Sequence, residues 1–172
     1  AIYQEKEPLF KSYKITIPKN ILDELFLYSK ENIVTAFFNY DNNIYVYNHI
    51  KDAKFFYFIK DETNVFTGDL NNPDFPEATN FVLSIKPHFV DDFEKYIINN
   101  LPEIDFRRWF KNEEMASYEV FYKGVNKGKA LTKLREFYNI PLHKTISFGD
   151  SDNDIELLKE SGHGVKMKNG SV

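Results

Sequence analysis

The sequence predicts an α/β protein in two parts, an open α+β sheet followed by a piece of a doubly wound sheet. Three observations carry that expectation. Two strand–helix–strand–strand patterns follow one another between residues 13 and 122. After Gly124 the grammar becomes helix, strand, helix, with a Gly-acid turn before the last helix, which is how doubly wound sheets are assembled. Aromatics make up 17% of the chain, so the cores of both parts should be rich in Phe and Tyr. The break falls near Tyr122, giving expected domains at 1–121 and 122–172. The second is too small to close a core by itself.

Taken in order, Tyr13, Ile15 and Ile17 alternate with Lys14 and Thr16, the pattern of a half-buried strand. Pro18 opens a helix whose apolar face carries Ile21, Leu22, Leu25, Phe26 and Tyr28. A strand at Ile33 to Phe38, turn residues at Asp41-Asn42-Asn43 and a strand at Ile44 to Tyr47 make a hairpin. Residues 60–80, with Gly68, Asn71-Asn72-Pro73 and Pro76, read as loop. Phe81, Leu83 and Ile85 alternate as the next strand, and Pro87 marks a helix with Phe89, Val90, Phe93, Ile97 and Leu101 on one face. Strands at Ile104 to Trp109 and Ser117 to Tyr122 join across a polar turn. The layout to this point is a small sheet with helices on one face. Beyond it, Ala130, Leu131, Leu134, Phe137 and Tyr138 mark an amphipathic helix that Pro141 ends, Lys144 to Phe148 is a short strand, and a last helix runs from about Asp152 to Glu160.

Composition narrows the function classes. A net charge of −4 argues against a dedicated nucleic-acid binder, which carries a basic excess. It leaves phosphorylated substrates open, since a site needs only local positive charge or a metal. The chain has no Cys, so disulfides and thiolate metal sites are excluded. No apolar run approaches the roughly 20 residues that span a bilayer, and Ala1 to Lys6 carry no signal-peptide pattern. The expected location is the cytoplasm. Without an initiator Met or a terminal helix stop, the stretch reads as part of a longer chain.

The segment Gly149-Asp150-Ser151-Asp152-Asn153-Asp154 is the most informative. It lies where a strand ends and a helix begins, the place where open α/β sheets bind ligands. Three carboxylates within five residues repel one another unless a cation or hydrogen bonds compensate, and Mg²⁺ is held by one or two carboxylates plus phosphate oxygens. Capping of the helix N-terminus explains Asp and Asn there equally well. An EF-hand does not, because Ile155 stands where that loop needs Gly and Ser161 where it needs a bidentate Glu. A second feature, Lys123-Gly124-Val125-Asn126-Lys127-Gly128-Lys129-Ala130, is one residue too short for a P-loop and has Ala130 in place of Ser or Thr. It is either a basic loop before a helix or a functional cation, since lysines oppose the dipole at a helix start.

Together, Lys127-Gly128, a helix, a strand and then Gly149-Asp-x-x-Asn-Asp resemble the third and fourth motifs of the haloacid dehalogenase-like (HAD) superfamily, more narrowly its Cof-type phosphatases. Glu119 matches a Glu common ahead of the Lys motif, and Gly164-Val165-Lys166-Met167-Lys168-Asn169 resembles the family's Gly-Val-Ala-Met-Gly-Asn, with Lys166 and Lys168 departing from its small residues. The resemblance covers the chain in layout. It implies that residues 1–121 are a large α+β cap domain and 122–172 the C-terminal part of a Rossmann-like catalytic core. The family's first motif, Asp-x-Asp-x-Thr, is not found: Asp150-Ser151-Asp152 is the one Asp-x-Asp with a strand before it, and it serves the fourth motif.

The resemblance further implies a Mg²⁺-dependent phosphatase of small phosphorylated metabolites, sugar phosphates in particular, working through an aspartyl-phosphate whose nucleophile lies outside this chain. Carried over, Asp150 is the direct metal ligand and Asp154 a second, directly or through water. Asn153 hydrogen-bonds the phosphate or metal-bound water, and Lys127 neutralises the phosphoryl oxygens. These 172 residues alone are then expected to be inactive. The rivals are a sugar phosphomutase of the same superfamily and a non-catalytic binding protein on the HAD scaffold. His49, His88, His143 and His163 show no ligand spacing, and Arg107-Arg108-Trp109 reads as a strand with two solvated charges or as a sugar or phosphate clamp. No nucleic-acid or membrane partner is expected.

Overall fold

In the computed structural model, residues 3–4, 7–8, 15–40, 43–47, 64–67 and 77–171 are described. They fall into two units, residues 14–123 and residues 124–172 with 1–13.

In the first unit Pro18 supplies the extended residue ahead of α1 (Lys19–Ser29), and Ile21, Leu25 and Phe26 turn inward. The expected hairpin is present: β3 (Ile33–Tyr40) pairs antiparallel with β4 (Asn43–Tyr47), with Tyr40 opposite Asn43. β6 (Asn80–Ile85) leads through a 3-10 turn at Pro87–Phe89 into α2 (Val90–Asn100). β7 (Ile104–Lys111) and β8 (Ala116–Tyr122) close the unit. Their turn is built by Asn112, whose Oδ1 accepts the N–H groups of Glu114 and Met115 at 2.9 and 2.8 Å.

These strands, with β5 (Asn64–Thr67), form one six-stranded sheet in the order β5-β4-β3-β6-β8-β7. All pairs are antiparallel except β4 with β5. The core follows from period-two alternation. Phe81, Leu83 and Ile85 stand opposite Val120, Tyr118 and Ala116, and this face joins the inward residues of α1 and α2 in one buried cluster. All five apolar residues expected on the second helical face, Phe89, Val90, Phe93, Ile97 and Leu101, are buried there. On the other sheet face Thr35, Ser84 and Ser117 are buried, the two serines hydrogen-bonded at 3.1 Å.

Three expectations change. Tyr13 and Lys14 lie outside the described residues, and Ile15 to Pro18 form no strand; Ile17 is buried and tied to the fold by donating its N–H to the Ala78 carbonyl at 2.8 Å. A strand, β5, runs within the stretch read as loop, and its parallel partner β4 lies earlier in the chain. Gly68, Asn71, Asn72, Pro73 and Pro76 lie outside the described residues, as do Asp41, Asn42 and His49. Arg107 and Arg108 are paired rather than simply solvated. Arg107 stands 4.0 Å from Glu119 and lies over the Phe121 ring, while Arg108 reaches Glu94 at 3.2 Å. Glu94 also accepts the hydroxyl of the fully buried Tyr118 at 2.7 Å. Burial, then that hydrogen bond, push the Tyr118 hydroxyl's pKa well above the usual tyrosine value.

The second unit holds the short antiparallel pair β1 (Tyr3–Gln4) and β2 (Glu7–Pro8). Its main body is α3 (Lys127–Tyr138), β9 (Ile146–Gly149), a 3-10 turn at Asp152–Asp154, α4 (Ile155–Lys159) and β10 (His163–Lys166). Asn126 caps α3 by accepting the Lys129 N–H at 2.8 Å, and Asn139 ends it in the left-handed conformation, φ 53°, two residues before Pro141. β10, which the sequence reading did not assign as a strand, pairs in parallel with β9, Val165 opposite Phe148. Ile146, Phe148, Val165 and Met167 are exposed, and the buried apolar cluster is drawn wholly from the first unit.

Candidate active site

The acidic segment sits at the carboxyl end of β9. The chain leaves the strand at Gly149, extends through Ser151 and turns into the 3-10 helix at Asp152, with the Asp154 N–H donating to the Ser151 carbonyl at 2.8 Å. That geometry drives Asp154 inward, to 5% exposure, while Asp150 and Asp152 stay exposed and Asn153 is half-buried.

A carboxylate so deeply placed needs its lone pairs filled. Its Oδ2 accepts the N–H groups of Asp150 at 3.0 Å and Ser151 at 3.4 Å. Its Oδ1 accepts a hydrogen bond from the Lys127 ammonium, which also makes an ion pair. The Lys127 hydrogen bond is the largest influence holding the Asp154 pKa below the usual carboxylate value; the two backbone donors and the ammonium's charge add to it, and burial opposes it.

Lys127 reaches Asp154 because α3 and α4 pack closely. Gly128 makes the approach possible: a Cβ there would lie 2.5 Å from the Glu156 carbonyl oxygen and 2.7 Å from its carbon. Both atoms are backbone, so the helices would have to move apart. Gly128→Ala is therefore expected to destabilise the fold by about 1–3 kcal/mol, the usual result of overpacking, read as a lower urea midpoint.

The sequence-predicted residues thus divide by geometry. Lys127 and Asp154 are brought into contact, Asp150 is tied to Asp154 through its backbone, and Asn153 lies in the same turn. No hydrogen bond or ion pair engages the Asp150 carboxylate among the described residues. No group of three or more His, Cys, Asp or Glu converges on a metal position among them either. One exposed carboxylate with no partner among the described residues suits a hard cation such as Mg²⁺ that fills its remaining positions with water and substrate phosphate. His88, His143 and His163 lie in separate turns and a strand, away from the acidic turn in sequence.

Two supports escaped the sequence reading. Ser147 and Ser161 are buried and share a hydroxyl hydrogen bond of 2.7 Å that straps β9 to the end of α4. Ser171 donates its N–H to the Asp150 carbonyl at 2.8 Å. Neither contact has a spacing or residue pattern by which to find it.

A sequence model of the haloacid dehalogenase-like hydrolases matches residues 1–172. The chain is 30% identical over 165 residues to the 5-amino-6-(5-phospho-D-ribitylamino)uracil phosphatase YitU of Bacillus subtilis, covering 92% of this chain and 57% of that protein. Among solved structures, it is similar to the HAD subclass IIB sugar phosphatase BT4131, with a TM-score of 0.70 and 25% identity over 92% of this chain and 58% of that one. A haloacid dehalogenase-like hydrolase from Bacteroides thetaiotaomicron shares the fold, with a TM-score of 0.73 at 18% identity over 91% of this chain and 58% of its own length. The chain therefore spans little more than half the length of these relatives.

Proposed function

Since this chain belongs to the haloacid dehalogenase-like hydrolase family, we propose that it is the cap and C-terminal core portion of a Mg²⁺-dependent phosphatase acting on small phosphorylated metabolites. The single observation that carries the reading is the contact of Lys127 with buried Asp154, beside an Asp150 carboxylate that has no partner among the described residues. A structural cap needs no buried charge, and a solvated acidic face needs no lysine held over it.

In this reading residues 1–121 are the cap and 122–172 the core portion, the division near Tyr122 falling close to the break between the two units. Asp150 holds Mg²⁺, and Asp154 contributes through water, because both of its oxygens are already engaged. When bound, Mg²⁺ supplies charge stabilisation for the phosphoryl oxygens and the attacking carboxylate. Lys127 places a second cation against those oxygens, held at the right depth by Asp154. Asn153 donates its amide to the phosphate or to a metal-bound water. The attacking carboxylate lies outside these 172 residues, where the one strand-borne Asp-x-Asp is already used.

The substrate proposal leans on relatives. YitU is named for a phosphate monoester on a ribityl chain, and BT4131 is a sugar phosphatase. We therefore expect a phosphate ester on a sugar or sugar alcohol. The test is phosphate release from hexose and pentose phosphates, from 5-amino-6-(5-phospho-D-ribitylamino)uracil and from a nucleotide monophosphate, with a longer form that restores an Asp-x-Asp-x-Thr segment. Preference for the first two classes supports the reading. Isomerised sugar phosphate without free phosphate would replace it with a mutase.

A further inference from the structure

The Asp150 peptide is held from two directions, and only one belongs to the turn that carries the chemistry. From within, Asp154 Oδ2 accepts the Asp150 N–H at 3.0 Å. From outside, the segment after β10 folds back over it. Met167 donates its N–H to the Gly149 carbonyl at 2.9 Å, and Ser171 donates its N–H to the Asp150 carbonyl at 2.8 Å, with the Ser171 hydroxyl reaching the same oxygen at 3.4 Å. The loop closes on itself where the Gly170 N–H donates to the Met167 carbonyl at 3.0 Å. Gly170 lies flat against Asp150: a Cβ there would fall 2.7 Å from the Asp150 oxygen and 2.8 Å from its Cα.

These contacts fix the peptide groups on both sides of Asp150. Fixing both sets the direction of its Cα–Cβ bond, which leaves the carboxylate only its own side-chain torsions. Among the described residues no side-chain partner restrains it further. A metal ligand oriented before the metal arrives loses less freedom on binding, and groups that hold a ligand in place are where metal affinity is tuned.

We propose that the 167–171 loop is a positioning element for Asp150, with the Ser171 backbone N–H as its main contact. The proposal rests on the reading of Asp150 as the metal ligand. None of the five loop residues is assigned contact with metal or substrate; their effect passes through the Asp150 backbone.

The test uses the longer form that restores an Asp-x-Asp-x-Thr segment, with Mg²⁺ as the only added ligand. Ser171→Pro deletes the N–H donor; Ser171→Ala keeps the N–H and removes only the long hydroxyl contact. Amide shifts of residues 149–154 are followed by NMR during a Mg²⁺ titration, and the Hα–Hβ couplings of Asp150 are measured without metal. Ser171→Pro is expected to weaken Mg²⁺ binding about three- to tenfold and to average the Asp150 couplings, with Ser171→Ala close to the parent. A Ser171→Pro chain that binds Mg²⁺ like the parent and keeps the same couplings overturns the positioning role. Couplings that respond to Ser171→Pro in a chain whose shifts never respond to Mg²⁺ uphold the positioning and overturn the metal assignment instead.

Discussion

Asp150→Asn is expected to reduce Mg²⁺-dependent phosphate release by about a thousandfold in the longer, active form, since a catalytic cation contributes several kcal/mol and about 1.4 kcal/mol is tenfold. The substitution is nearly isosteric and removes only the charge. The backbone groups of Asp150 already carry the structural contacts, to Asp154 and Ser171. The fold should therefore survive: an unfolding free energy from urea titration within about 0.5 kcal/mol of the parent is expected for an exposed side chain without structural contacts. Raising Mg²⁺ should recover part of the rate, because the ligand is weakened rather than deleted. A variant with full activity would mean that the Asp150 carboxylate is a solvated group of the turn and not the metal ligand.

Lys127→Met is expected to lower the turnover rate by about 10²–10³, the usual cost of removing one preorganised electrostatic donor, and it should do something Asp150→Asn does not. It leaves the Asp154 carboxylate buried with only the two backbone N–H donors. In the parent, the Asp154 pKa lies below its unfolded value, with the Lys127 hydrogen bond as the first cause. A carboxylate shifted that way adds stability that is present above the unfolded pKa and lost as pH falls through the folded one. Without Lys127 the folded pKa rises toward, or past, the unfolded value, so the contribution shrinks and acid unfolding begins at a higher pH. Thermal melts of both proteins from neutral pH down through the carboxylate range read this directly. Combining Lys127→Met with Asp154→Asn should cost less than the sum of the two, because either change breaks the same pair.

Much of the fold was legible because period and burial agree. Phe81, Leu83 and Ile85 alternate in sequence and share one buried face, and Phe89, Val90, Phe93, Ile97 and Leu101 repeat at helical spacing and meet it. The candidate site was proposed from the sequence for a different reason: Lys127, Asp150, Asn153 and Asp154 lie in two short segments separated by one helix and one strand, which the structure brings together. What failed was decided by partners distant in the chain. Val65 and Phe66 form a strand because β4 offers its edge, whereas Gly68 and the Asn-Pro cluster beyond them favoured a loop. Ile15 and Ile17 alternate, yet Ile17 is held by one bond to Ala78 rather than by a ladder. Arg107 and Arg108 find Glu119 and Glu94 on other elements. Which of the two carboxylates is buried was also invisible, since only the turn decides that Asp154 points inward and Asp150 stays exposed.

The most direct measurement is phosphate release from p-nitrophenyl phosphate by two samples of verified mass, the 172-residue chain and the longer form carrying an Asp-x-Asp-x-Thr segment. The longer form should release phosphate only with Mg²⁺ present, and the 172-residue chain none. Turnover by the 172 residues alone, or a folded longer form that binds Mg²⁺ yet hydrolyses no phosphate ester, would contradict a phosphatase whose nucleophile lies outside this stretch.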